Sequence, residues 1–392
     1  MRLLSLAAFA CVTSFLTAQD FIHYKFDANC TGEVINLANG PQAFPGNGTL
    51  QSNSTISAFD VGLFGGCLAG GSNVATTYYN RVVSGWNPST QPITGDLTIA
   101  WSMRLRAGAN IGTSLNYLLG APSGGHRLFT NGVASTGLMQ REVLASGGNS
   151  GVRDFLLPAA TMNVQALAAA GWTHIALVVD TATLTATWYV NGANVFQLAN
   201  VPGALINLNG PYMVGAYSAA ATAAGSAYDI DEFLISLRAY SAAEILVMST
   251  TPRAGDGDYL SAIPAQCGSG NVTLASSGGA PSAGNLAYSL DVTATTPSLY
   301  VMMLGFDRCL FGGAIPLPLD GTPFSPLLNG CWILADPAVT IGGAALAGTA
   351  PNALPIPATA PYGAAIYSQV LALDAVTLAS SMSAGFASSV GF

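Results

Sequence analysis

Charge is scarce in this sequence. Asp, Glu, Lys and Arg make up 8% of its 392 residues, Lys25 is the only lysine, and the formal net charge is −8. No basic cluster exists to meet a phosphate backbone or an anionic lipid surface, so nucleic acid and membrane surfaces are not expected partners. Beyond the N-terminus no stretch reaches about 18 apolar residues without Asp, Pro or a run of Gly, so no membrane span is expected. The three histidines, His23, His126 and His174, are too dispersed for a zinc motif, and neither H-E-x-x-H nor G-x-S-x-G occurs. Glutamate is also rare, at Glu33, Glu142, Glu232 and Glu244 only. Catalysis that needs a pair of glutamates has few positions to draw on.

What is present is β-sheet patterning, clearest in Gly171–Leu198, GWTHIALVVDTATLTATWYVNGANVFQL. Ile175, Leu177 and Val179 alternate with His174, Ala176 and Val178, an apolar pattern on both faces that predicts a strand covered on both sides. Leu184, Ala186, Trp188 and Val190 then alternate with Thr183, Thr185, Thr187 and Tyr189, predicting an antiparallel strand with one wet face. Asn191-Gly192 follows, the dipeptide that a type I′ hairpin turn favours because both central residues need positive φ. The reading is a three-stranded meander at the centre of a β-sandwich.

Residues 1–19 read as a secretory signal peptide: Arg2, an apolar stretch from Leu3 to Leu16, and small residues before Asp20. Removing them leaves 10 basic against 19 acidic side chains, about −9. The expected location is therefore secreted, extracellular or at the cell surface, where disulfides persist. Five cysteines then remain. Cys30 with Cys67 and Cys309 with Cys331 are the expected pairs, since each lies within one domain; Cys267 with Cys331 is the open alternative. Four Asn-x-Thr sequons read as chance in an Asn- and Thr-rich chain.

Short runs separated by Gly, Pro, Ser and Asn continue through Phe21–Asp27, Val74–Tyr79, Asp96–Arg106, Leu115–Leu119, Gly137–Leu144, Met213–Tyr217 and Tyr228–Arg238, with no helical periodicity between them. In YDIDEFLISLR, Asp229, Asp231, Phe233, Ile235 and Leu237 share one predicted face. Ser241-Ala-Ala-Glu244 is a capping box that starts a short helix closing the domain. Residues 251–266 are read as a linker, and 267–392 as a β-rich second domain.

The landmarks HYKFD, LFGGCLAGG, DLTIAWSMRL, GWTHIALVVD with WYVNG, and DIDEFLISLRAYSAAEI arrive in the order of a laminin-G-like, concanavalin A-like jelly roll, which residues 20–250 resemble. The resemblance implies an all-β fold: a concanavalin A-like jelly-roll sandwich followed by a smaller β-sandwich-like C-terminal domain. Residues 267–392 resemble a Cys-containing β module of secreted bacterial proteins through PLPLD at 316–320, Gly330-Cys331, LPIP at 354–357 and Tyr367-Ser-Gln369.

Jelly rolls of this kind serve as lectin-like, adhesive and accessory modules, and fold alone does not select among them. Related glucanases carry E-x-D-x-x-E on one strand. Here the nearest match is Asp229-Ile-Asp231-Glu232, in which Glu232 points away. The expectation is thus a non-catalytic binding or adhesion protein for extracellular glycan or glycoprotein; the alternatives are a structural cell-exterior component and, third, a divergent glycosidase. Sugar rings stack on aromatic faces, so Tyr78, Tyr79 and Trp86, with Asn80, Arg81 and Asn87 nearby, form the candidate patch. No cofactor is required. Calcium is the metal considered, with Asp229 and Asp231 as candidate ligands beside Asp180 and Asp27, although no D-x-[DN]-x-[DN]-G loop occurs.

Overall fold

In a computed structural model the described residues are 20–27, 32–38, 46–53, 57–71, 79–109, 115–121, 126–131, 136–143, 152–207, 210–216, 225–259, 267 and 271–392. The signal-peptide reading, Cys30 and Tyr78 lie outside them. The first sheet runs Ala193–Ala199, Thr185–Val190, Thr173–Asp180, Leu97–Leu105, Tyr228–Ser236, Gly66–Leu68, Phe59–Val61, with Asp20–Tyr24 also pairing Tyr228–Ser236. The second runs Val152–Leu157, Gly137–Val143, His126–Asn131, Asn116–Gly120, Met213–Val214, Asn80–Val83, Gly48–Ser52, Glu33–Val34. All pairings are antiparallel, so period-two alternation sends one set of side chains from each sheet into a shared core. Ile99, Trp101, Ile175, Leu177, Trp188 and Phe233 meet Leu118, Leu128, Leu138 and Phe155 there.

The meander forms as its pattern requires. Ile175, Leu177 and Val179 enter the sandwich core while Ala176 and Val178 join a second cluster on the outer face. Asn191 and Gly192 sit at φ 49° and 80°. The face expected to be wet is open only at its start: Thr183 is exposed and Thr185 half-buried, but Thr187 and Tyr189 are buried, the latter against Ile245 and Met248 of the Ala242–Met248 helix. That helix starts at the Ser241–Glu244 capping box.

One strand departs from simple alternation. Its register against Leu97–Leu105 jumps between Asp231↔Ser102 and Leu234↔Ala100, and Glu232 has φ 48°. A bulge inserts one extra residue and reverses the facing of everything beyond it. Tyr228 and Ile230 enter the core before the bulge, Phe233 and Ile235 after it. Asp229 and Asp231 therefore do not share the face of Phe233 and Ile235.

A seven-stranded sheet forms the C-terminal domain, running Gly255–Tyr259, Gly385–Ser389, Ala365–Asp374, Ser289–Gly305, Val272–Ser277, with Val339–Ala353 on Ser289–Gly305 and Ser380–Met382 on Ala365–Asp374. The span 251–266 is thus not simply a linker, because Gly255–Tyr259 pairs Gly385–Ser389 from Gly255↔Ser389 to Tyr259↔Gly385. A cluster of Ile35, Leu37, Tyr259, Leu334, Ala335, Tyr367 and Ala387 joins the two domains. Both disulfide expectations are corrected. Cys331 bonds Cys267, Cys67 is a buried free thiol, and Cys309 is bonded to a partner outside the described residues. The open alternative is the pair that forms, and both of its members lie within the C-terminal domain. Burial, with Asp229 and Asp231 nearby, pushes the Cys67 thiol up to about 12, so it stays protonated and inert.

Candidate functional site

Two of the three residues of the candidate aromatic patch are described, and neither lies open. Trp86 is 0% exposed, packed edge-on against Phe21 at 5.4 Å and 4.5 Å from Tyr212, with its indole N–H donated to the Gln91 carbonyl at 2.7 Å. Tyr79 is half-buried beneath the Arg81 guanidinium, 3.8 Å from its ring centroid. The patch is core and core margin, because Arg81 itself is buried and draws the segment inward.

The two candidate calcium ligands are engaged by other groups. Asp229 receives Arg104 at 2.8 Å and Arg106 at 3.1 Å, and accepts the Gly70 N–H at 2.8 Å. Two guanidinium groups occupy the positions a cation would take. Asp231 accepts the N–H groups of Leu63 and Phe64 at 2.8 and 3.0 Å. Burial, with Glu232 next in line, raises its pKa well above the usual carboxylate range. It holds a loop. Asp180 bonds the backbone and hydroxyl of its own turn at Ala182 and Thr183.

Asp229 and Asp231 hang the LFGGCLAGG segment on the sheet, and that segment forms one wall of a cleft between the domains. Asp27 completes the set, accepting the Gly66 N–H at 2.9 Å. A Cβ on Gly65 would stand 2.2 Å from Asp27 Oδ1, and Gly65 has φ 96°, so the approach requires glycine on both counts. The cleft is about 470 Å³, lined on this side by Phe26, Asp27, Phe59, Asp60, Val61, Gly65 and Gly66 and opposite by Phe306, Asp307, Arg308, Cys309 and Tyr367. That volume is in the range of small-ligand sites, which favour domain interfaces.

Aromatic and polar groups converge there. Phe306 is 72% exposed. Asp60 is within 3.6 Å of Arg106, and Asp307 accepts from Cys309 N and Leu310 N at 2.6 and 3.1 Å. Arg308 is buried and donates to the Glu33 carbonyl at 3.0 Å, tying the C-terminal wall to the jelly roll. Among these residues sequence reasoning named only Asp27 as a candidate ligand-binding side chain, and for calcium. The FDR triplet at 306–308 ending a β run was the available signal, but nothing in sequence places it opposite Phe59.

Behind the cleft lies a buried ionic cluster. Lys25 Nζ is 2.6 Å from Glu232 Oε1, and His23 Nε2 is 3.2 Å from Oε2. Burial would raise Glu232, but Lys25 and His23 outweigh it and hold the carboxyl down to about 2. Asp27 goes the other way: burial, only partly offset by Lys25, lifts it to about 7. Because its folded pKa lies above the unfolded one, its contribution to stability is full below about pH 4 and is lost as pH rises through about 7. Asp27→Asn keeps the acceptor for Gly66 and removes that dependence. Its stability relative to wild type should therefore improve by on the order of 2 kcal/mol between pH 4.5 and 8, after allowance for solvent in the cleft. Urea unfolding at both pH values measures this, and an unchanged difference would remove Asp27 as the titrating group.

A family model described as the Concanavalin A-like lectin/glucanases superfamily matches residues 84–246. No curated protein matches the chain. Among solved structures it is similar to domain 4 of an extracellular arabinanase from Geobacillus stearothermophilus in complex with arabinotriose, at 18% identity over 59% of this chain and 99% of that one, with a TM-score of 0.38. It is also similar to the CBM40 domain of Ruminococcus gnavus IT-sialidase bound to α2,3-sialyllactose, at 15% identity over 41% and 85%, TM-score 0.29. A third likeness is to a botulinum neurotoxin type C structure concerned with two ganglioside molecules, at 9% identity, TM-score 0.40; it covers 60% of this chain, which spans about half of that structure.

Proposed function

Taking residues 84–246 as a domain of the concanavalin A-like lectin/glucanases superfamily, we propose that the chain is a secreted, non-catalytic protein that binds extracellular glycan or glycoprotein in the cleft between its two domains. The observation that carries this is the cleft itself, with Phe306 exposed on one wall and Phe59 facing it from the jelly roll beside Asp27 and Asp60. A sugar ring offers a C–H face to an aromatic ring and hydroxyls to carboxylates, and this lining supplies both.

Binding is favoured over hydrolysis by how the acids are used. Glu142 is buried against Arg153, Glu232 against Lys25, Glu244 caps a helix, and Glu33 takes an Asn47 amide at 2.9 Å. A glycosidase needs one carboxyl free to donate a proton and a second facing it across the sugar. The glutamates here are committed to other partners, and so are the cleft aspartates: Asp27 accepts the Gly66 N–H, Asp60 pairs with Arg106 and Asp307 accepts the Cys309 N–H. Among the described residues no helix is long and apolar enough to cross a membrane.

The test is a broad glycan array probed with the full chain and with Phe306→Ala, each with and without chelator. Saturable binding that falls at least about tenfold in Phe306→Ala, whose exposed ring contributes little to folding, supports the cleft. Loss on chelation would restore a calcium requirement. No binding in either condition would overturn the glycan reading.

A further inference from the structure

The C-terminal sheet ends in an open edge. Val339–Ala353 pairs Ser289–Gly305 from Ser289↔Ala353 to Leu304↔Val339, and among the described residues it pairs no other strand. Its outer row of backbone N–H and C=O groups is therefore available to another extended strand. The usual protections of such an edge are short length, charged side chains, proline or a bulge. Here they are confined to one end: Ala347 has φ 55° at the register shift opposite Ala294 and Pro297, and Pro351 lies beyond it. Val339–Leu346 has neither. No charged residue occurs between Asp336 and Asp374.

We propose that Val339–Leu346 is a self-association edge, pairing antiparallel with the same strand of a second copy of this chain about a twofold axis. Hydrogen bonding requires only an extended partner, and charge selects which one. The chain carries −8, so two copies repel over most approaches, whereas this edge brings none of that charge to the contact. A strongly charged partner would find no complement here. A twofold axis also closes the contact, each copy offering the edge that the other completes. The face beside the edge suits the same joining, since Leu299 and Val301, 59% and 40% exposed, lie next to Ala344 and Gly342 and would continue onto the copy.

Sedimentation equilibrium of the full chain over a concentration series should show the mass double. Ala344→Lys with Leu346→Lys, both at exposed positions, should return it to one chain with the unfolding midpoint unchanged. Thr273→Lys, exposed on the strand across the sheet, should leave the doubling intact. Hydrogen exchange at 339–346 in the wild type should slow as concentration rises, a readout that needs no variant. A single-chain mass throughout, a doubling that survives the two lysines, or exchange independent of concentration would each overturn the proposal.

Discussion

Lys25→Met is expected to destabilise the protein by about 3–5 kcal/mol, because it removes one partner of a buried pair and leaves the other charge without it. The Glu232 side chain is 8% exposed and that of Lys25 1%. In a chain of this size such a loss lowers the thermal midpoint by on the order of 10 °C. The effect should depend on pH, with a defined sign. In the wild type, Glu232 has a folded pKa of about 2, below its unfolded value, so it contributes stability above about pH 4.5 that is lost as pH falls through about 2. Without Lys25, burial dominates and the folded pKa moves above the unfolded one. The deficit should then be largest at neutral and alkaline pH and shrink towards pH 4. Lys25→Met with Glu232→Gln removes both charges and should recover more than half of the loss, His23 keeping a neutral partner. Urea unfolding of the three proteins from pH 4 to 8 decides it: a single variant within about 1 kcal/mol of wild type would mean that the pair is not buried as described.

That ion pair also marks where sequence reading stops. The meander was legible because alternation and Asn191-Gly192 are local, and the capping box because its two members are three residues apart. The bulge at Glu232 was not, because the partners its carboxylate meets there, Lys25 and His23, lie some two hundred residues away. Val339–Ala353 escaped notice for a different reason: VTIGGAALAGTAPNA has few β-branched residues and no alternation, so only its neighbour Ser289–Gly305 makes it a strand. The cleft is the extreme case. Asp27, Phe59–Gly66 and Phe306–Cys309 come from three distant segments, and nothing local in any of them points to the others. For the cysteines, sequence left Cys267–Cys331 open as an alternative and that bond forms, whereas nothing local shows that Cys67, expected to pair, is a buried free thiol.

Trp86→Ala separates core aromatics from cleft aromatics. Trp86 stands among Asn80, Arg81, Asn87 and Ser89, a polar neighbourhood that reads as surface, yet its ring lies wholly inside, between Phe21 and Tyr212. The polar neighbours are satisfied locally: Asn87 Oδ1 accepts from Ser89 N at 3.0 Å, and Asn80 Nδ2 donates to the Ala69 carbonyl at 3.1 Å. Truncation to alanine should cost about 3–5 kcal/mol, from the lost burial and from a cavity that Phe21 and Tyr212 cannot both close. The Gln91 carbonyl also loses its donor. Trp86→Phe retains most of the volume and should cost less, the difference reporting the indole N–H and the residual void. Phe306→Ala should behave in the opposite way, leaving the unfolding free energy within about 0.5 kcal/mol of wild type while reducing glycan binding. If Trp86→Ala instead folds with wild-type stability and loses binding, the aromatic site lies on the jelly roll near Tyr79 and not in the cleft between the domains.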